Sequence, residues 1–218
     1  MNRALTICAS LVLAIVPVFT TLTFAGELKP IQLLKPQLDK GRPLMQVLKD
    51  RSSSRSFRTE KLPVQVLSDM LWAAFGVNRA DAGKRTAPSA MNLQEIDIYV
   101  AMADGLYLYD AKDSVLKPVL SEDIRGLTGR QDFVKDAPVN LIYVADFAKM
   151  GTITKEEKTL YSAADTGFIG QNVYLYCTSE DLATVVRGSI DRHSLAKIMG
   201  LRPDQKIILA QSVGYRKK

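Results

Sequence analysis

A chain of 218 residues, 47% of them apolar, carries enough hydrophobic material for one domain with its own core. Its 29 Lys and Arg outnumber 23 Asp and Glu, but the net charge of +6 is modest and clusters only at Arg216-Lys217-Lys218, so composition does not point to nucleic acid. One histidine, His193, and two cysteines, Cys8 and Cys177, exclude most histidine-based metal centres and the Ser/His or Cys/His triads, leaving a bound cofactor as the expected source of any chemistry.

The chain opens on Arg3 followed by a nearly unbroken apolar stretch from Ala4 to Val18. That stretch is short for a membrane span, and Pro17 interrupts it. Thr23-Phe24-Ala25 offers the small residues a signal peptidase reads, so residues 1–25 are expected to be a cleaved signal peptide. Export to the periplasm or the extracellular space follows from that expectation. Cleavage removes Cys8, leaves Cys177 alone, and so rules out an intrachain disulfide in the mature chain. Cys177 lies in an apolar helical pattern and is expected to be buried and inert.

Residues 26–42 contain Pro30, Pro36 and Gly41 and read as an extended N-terminal arm. From residue 43 to 218 the pattern is that of one domain. Pro43 starts a short helix reaching about Asp50. Pro63 starts another, with Val64, Leu67, Met70, Leu71 and Ala74 at helical spacing and Gly76 as its stop. No periodicity is legible from Val77 to Leu93, and a loop that long in a compact domain is usually functional or disordered. Ile96, Ile98 and Val100 begin a strand that turns at Asp104-Gly105 and returns through Leu106-Tyr107-Leu108-Tyr109. Residues 116–120 add a short edge strand, 121–135 short helices, and Val139–Val144 a buried strand. A long helix is expected over about 155–178, with Gly167 and Gly170 placed for close packing. Ala183–Val186 and Ile207–Val213 are the last strands, separated by a helix over Asp191–Met199 that Gly200 ends and whose His193 sits at the surface. The sum is α+β: a sheet covered by helices.

Two segments carry chemistry. Arg51-Ser52-Ser53-Ser54-Arg55-Ser56-Phe57 concentrates two guanidinium groups and a run of hydroxyls, a donor set suited to one phosphate. Arg85-Thr86-Ala87-Pro88-Ser89-Ala90-Met91-Asn92-Leu93-Gln94 runs straight into a strand and is rich in groups that hydrogen-bond the edge of a planar heterocycle. A phosphate clamp followed by an amide-lined loop points to a phosphorylated ring cofactor.

With these come Leu71-Trp72-Ala73-Ala74-x-Gly76-x-Asn78-Arg79, the hairpin Gly105-Leu106-Tyr107-Leu108-Tyr109-Asp110, and Gly170-Gln171-Asn172 on the long helix. From residue 43 onward, the five features in this order resemble the nitroreductase-like family of FMN-dependent oxidoreductases. The tryptophan segment and the hairpin are most similar to the branch containing the azoline dehydrogenases of thiazole and oxazole peptide synthesis. The resemblance implies a central, mostly antiparallel sheet covered by helices, and a homodimer with FMN at the subunit interface. It implies that Arg51, Ser52, Ser53 and Arg55 hold the phosphate and ribityl chain. Pro88, Ser89, Asn92 and Gln94 would line the ring, from the opposite subunit. Gln131, or else Arg130, would reach the pyrimidine edge, and the turn at Arg187-Gly188 would face flavin N5. Arg216 would take the place of the C-terminal cation that relatives set near the phosphate.

The activity implied is hydride transfer through N5 to or from a small substrate, with no protein nucleophile and no metal. The chain departs from the family pattern in three places: Arg187 stands at a position where many relatives have an acidic or small residue, Glu180-Asp181-Leu182 lacks glycine, and the tail ends soon after Gly214-Tyr215. A non-enzymatic, flavin-binding or redox-sensing envelope protein is the alternative the same residues allow.

Overall fold

The computed structural model describes residues 27–217. The expected signal peptide lies outside the described residues. Among those described, no helix is long and apolar enough to cross a membrane.

A seven-stranded sheet organises the chain. Its strands are β1 (Ile31–Gln32), β4 (Ile96–Met102), β5 (Gly105–Asp110), β6 (Val115–Leu120), β7 (Val139–Asp146), β8 (Leu182–Arg187) and β9 (Gln205–Tyr215), in the order β1-β6-β5-β4-β7-β9-β8. Every pairing in it is antiparallel. The helices are α1 (Leu44–Asp50), α2 (Val64–Phe75), α3 (Lys155–Ser179) and α4 (Arg192–Ile198). A separate two-stranded piece pairs β2 (Val77–Arg79) with β3 (Lys84–Arg85).

Alternation along the central strands explains why both faces of the sheet are covered. On β4, Ile98 and Val100 join Leu141 and Tyr143 of β7 in the core under α2 and α3. Their neighbours Tyr99, Ala101, Ile142 and Val144 face the opposite way, against Leu195 and Met199 of the α4 segment. All eight residues of β7 are buried, the apolar run Leu141–Ala145 together with the polar Asn140 and Asp146.

Local chemistry sets the element ends. Thr154 and Glu157 form a reciprocal capping box at the start of α3. Gly105 closes the β4–β5 hairpin at φ +152°, and a Cβ there would lie 2.5 Å from the Leu120 carbonyl oxygen. The sequence places residues 116–120 at the sheet edge. The structure instead sets β1 beyond them, pairing Ile31 with Leu116 and Gln32 with Val115, because the arm crosses the exposed side of β6. The aperiodic stretch from Val77 to Leu93 contains the β2–β3 pair and two single turns. Gly170 packs within the chain, against Val186 and Gln211, whereas Gly167 faces outward with nothing near its Cβ position.

Cys177 is fully buried, and burial drives its thiol far above the usual range, so it stays protonated and unreactive. Cys177→Ala is expected to cost about 1 kcal/mol, the centre of the range for single substitutions. A urea titration measures this, and the far-ultraviolet spectrum should be unchanged.

Candidate cofactor site

Strand β8 gathers the first group of expected site residues. Ser54 N–H donates to the Thr184 carbonyl at 2.9 Å, which seats the Ser/Arg segment along the strand. Val186 N–H donates to the Tyr174 hydroxyl of α3 at 2.9 Å, and that hydroxyl lies 2.8 Å from Ser53 Oγ. The Arg51 guanidinium sits over the Tyr174 ring, 5.2 Å from its centroid. Tyr174 therefore fixes both Arg51 and Ser53. No ion pair to Arg51 is present among the described residues, so its charge is available to an anion.

Ser52 and Arg55 are exposed beside this cluster. A bridge between Phe57 and Arg216 returns the C-terminal tail to the same segment, while the Arg216 side chain turns to Asp181 at 3.3 Å.

At the end of β8 the Arg187 guanidinium points into the interior and is only 3% exposed. It donates to the Thr128 carbonyl at 2.7 Å, Thr128 Oγ1 at 3.1 Å, Asn140 Oδ1 at 2.7 Å and Ser212 Oγ at 3.1 Å. All four acceptors are neutral. Burial lowers its pKa to about 10, still far above neutrality, so the group remains a buried cation. Its planar fork lies over Gly129, where a Cβ would approach Nη1 to 2.1 Å, so no larger residue fits.

Through Arg187 the 128–131 segment is locked to β8, and Arg130 N–H adds a bond to the Ser189 carbonyl at 3.0 Å. Gln131 is thereby brought beside the Arg187-Gly188 turn. Its side-chain oxygen is buried without a hydrogen-bond partner among the described residues.

The second group is the loop before β4. Met91, Asn92 and Gln94 all adopt positive φ, between 50° and 56°, a left-handed conformation that non-glycine residues seldom take in succession. The loop is held by internal bonds. Gln94 N–H donates to Ser89 Oγ at 3.1 Å, and the Gln94 side-chain amide donates to Asn92 Oδ1 at 3.1 Å and the Gly83 carbonyl at 2.9 Å. Arg85 donates to Gln94 Oε1 at 2.7 Å while its guanidinium stacks on Phe75. Asp165 of α3 accepts the Ala90 N–H at 2.9 Å. Pro88 introduces the loop, and backbone strain of this kind concentrates at ligand sites.

Helix α3 carries an anchor for each group: Asp165 for the loop, Tyr174 for the clamp. They are nine residues apart, about two and a half turns at 3.6 residues per turn, so they project from opposite sides of the helix. An exposed stripe of Leu160, Ala163, Ala164, Gly167, Phe168 and Gln171 runs along the side of the helix that carries Tyr174. Within one chain, clamp and ring-loop thus attach to different sides of α3 and do not face each other. Neither Tyr174 nor Asp165 was legible as a site residue, because each acts on its loop from a distant part of the chain.

The chain is similar to known proteins in sequence and in fold. The model of the nitroreductase family matches residues 48–215. A protein of Methanocaldococcus jannaschii with the provisional name of nitroreductase is 29% identical over 187 residues, 81% of this chain and 92% of that protein. A crystal structure from Ralstonia eutropha JMP134, also provisionally named a nitroreductase, is 42% identical, has a TM-score of 0.83, and is matched over 87% of this chain and 90% of that one. A nitroreductase-like structure from Desulfovibrio desulfuricans in complex with FMN matches at 21% identity and TM-score 0.60, over 81% and 88% of the two chains. A chain of the E. coli microcin synthetase McbBCD complex, with truncated pro-MccB17 bound, matches at 19% identity and TM-score 0.67, over 94% and 84%. That likeness is one of fold. The antiparallel sheet, its helical cover and the family match together make this chain a member of the nitroreductase family.

Proposed function

We propose that the protein is an exported, homodimeric FMN-dependent oxidoreductase acting on a small substrate. The observation that carries the reading is the split arrangement on α3. A donor-rich clamp, whose Arg51 makes no ion pair among the described residues, lies on one side beside an exposed apolar stripe, and a strained amide-rich loop lies on the other. Two copies packed stripe to stripe about a two-fold axis bring one chain's clamp toward its partner's loop, which is what a ligand site shared between subunits requires.

The residues fit FMN. Arg51 and Ser53, with Ser52 and Arg55 at the rim, supply donors for a phosphate. Ser89, Asn92 and Gln94 offer amides and a hydroxyl to a ring edge, with Pro88 setting the approach. Gln131 presents an unsatisfied acceptor suited to a ring N–H. Gly188 leaves the backbone open beside the turn. FMN, when bound, supplies hydride chemistry at N5, and the protein's part is to hold the group and shield it from water. The N-terminal apolar segment supports export, and the exported compartment lacks a soluble nicotinamide pool. NAD(P)H is therefore expected to serve as a surrogate donor in vitro at most.

Purified protein should be yellow, with about one FMN per chain, and should sediment as a dimer at micromolar concentration. Phe168→Glu, which places a charge in the apolar stripe, is expected to give a monomer with flavin affinity at least about tenfold weaker, since a buried unpaired charge costs more than the 1.4 kcal/mol that tenfold represents. Colourless protein that takes up no FMN on titration sinks the reading. Flavin that dithionite reduces, but no donor and substrate pair turns over, identifies a non-catalytic flavin binder instead.

A further inference from the structure

Beneath the ring-loop lies a pair of acids that the flavin site does not use. Glu95 directly follows Gln94 and is 0% exposed, and Asp165 is 2% exposed. Both Glu95 carboxylate oxygens are buried without a donor among the described residues, a cost of several kcal/mol for an ionised group. A protonated Glu95 removes the difficulty. Asp165, the neighbouring carboxyl, accepts the Ala90 N–H at 2.9 Å, a bond that favours its ionised form although burial raises its pKa as well. The Ser162 hydroxyl of α3 lies near Glu95 but donates to Met150 Sδ at 3.5 Å. Asp165 is the charged group acting on Glu95, and no lysine, arginine or histidine bears on either carboxyl among the described residues.

We infer that Glu95 and Asp165 share one proton as a positioning pair, and that this proton holds the Ala90–Gln94 loop in its strained, ligand-receiving conformation. Asp165 grips the loop at Ala90, and Glu95 grips the chain where the loop enters β4. Three positive-φ residues between these grips are costly and persist only while the surroundings over-determine them. Loss of the shared proton leaves two buried like charges, and the loop opens to hydrate them.

The sign follows from linkage. Burial and Asp165 raise the Glu95 pKa above its ordinary value near 4.3. The closed loop therefore retains a proton that the open loop gives up. Loop order is full at low pH and is lost as pH rises toward the closed-state pKa, by about tenfold per pH unit when one proton is coupled.

The test is amide hydrogen exchange on the full-length protein without flavin, from about pH 5 to about pH 9, corrected for intrinsic exchange; buried carboxyls have been driven across that span. Protection at Ala90 is expected to fall with rising pH in the wild type. It should be flat in Glu95→Gln, whose amide donates to Asp165 permanently. Asp165→Asn places an amide on the other partner and should flatten the profile as well, so the question stays answerable if one variant does not fold. A flat wild-type profile, or either folded variant following the wild-type curve, overturns the inference. The inference rests on the flavin reading for its meaning but not for this measurement. FMN affinity by fluorescence quenching over the same range is expected to weaken with pH in the wild type alone. Absence of FMN binding at every pH condemns the flavin reading, and the exchange data still judge the proton pair.

Discussion

Replacing Arg187 with methionine is expected to lower the stability of the protein by at least about 3 kcal/mol. The guanidinium makes four hydrogen bonds to neutral, buried acceptors. Hydrogen bonds to charged groups contribute about 1.5–3 kcal/mol each, so their loss outweighs what is recovered by removing a buried charge. That recovery is itself about 3 kcal/mol, judged from a pKa lowered from 12.5 to about 10 at 1.36 kcal/mol per unit. Ser212 Oγ retains its bond to Asn140 Oδ1 at 2.6 Å, and Thr128 Oγ1 its bond to the Arg125 carbonyl at 2.8 Å, which moderates the loss. The Thr128 carbonyl keeps no such substitute. At about 2–4 °C per kcal/mol for a chain of this size, thermal melting should drop by roughly 6–12 °C. Arg187→Lys should rescue little, because a lysine has no planar fork to span Thr128, Asn140 and Ser212. Melting within about 2 °C of wild type would remove Arg187 as the tie between β8 and the 128–131 segment. Such a result would also undo the account of how Gln131 is set beside the Arg187-Gly188 turn.

The fate of Arg187 shows where sequence reading stops. Its position at the end of a strand was legible, because Ala183–Val186 reads as a strand and Gly188 as its end. The direction of its side chain was not. Strand alternation sends Val186 toward α3 and Arg187 to the opposite face, and only the packed structure reveals that this face is lined by neutral acceptors. The α+β class and the helix limits at Pro43, Pro63, Gly76 and Gly200 were legible because proline and glycine act locally on the backbone. The outer position of β1 was not, because a two-residue strand in a proline-bearing arm has no periodicity and gains its place from β6. The same contrast holds in the candidate site. Arg51, Ser53, Asn92 and Gln94 announce themselves as dense polar clusters. Tyr174 and Asp165 sit in an ordinary helical pattern, and their roles arise from bonds to residues 121 and 75 positions away.

Arg51→Ala is expected to weaken FMN binding by about 1.5–3 kcal/mol, or roughly ten- to 150-fold, with little change in the stability of the flavin-free protein. The asymmetry follows from the environment. Arg51 is half-buried, and its tie to the protein is the Tyr174 ring, a contact contributing about 0.5–1 kcal/mol at an exposed site. A phosphate dianion offers it charge-assisted bonds that are present only when ligand is bound. Arg51→Lys should recover part of the loss, keeping the charge while giving up the fork and the stacking on Tyr174. Tyr174→Phe separates positioning from charge. It leaves Arg51 in place but removes the hydroxyl that accepts from Val186 N–H and meets Ser53 Oγ, and the flavin-free protein should then lose about 1–2 kcal/mol for the orphaned N–H. Equilibrium dialysis with FMN and with riboflavin decides the assignment. Riboflavin lacks the phosphate, so its affinity should be nearly the same in wild type and Arg51→Ala. An Arg51→Ala protein that loses FMN and riboflavin to the same extent would place Arg51 away from the phosphate and leave the clamp without its principal charge.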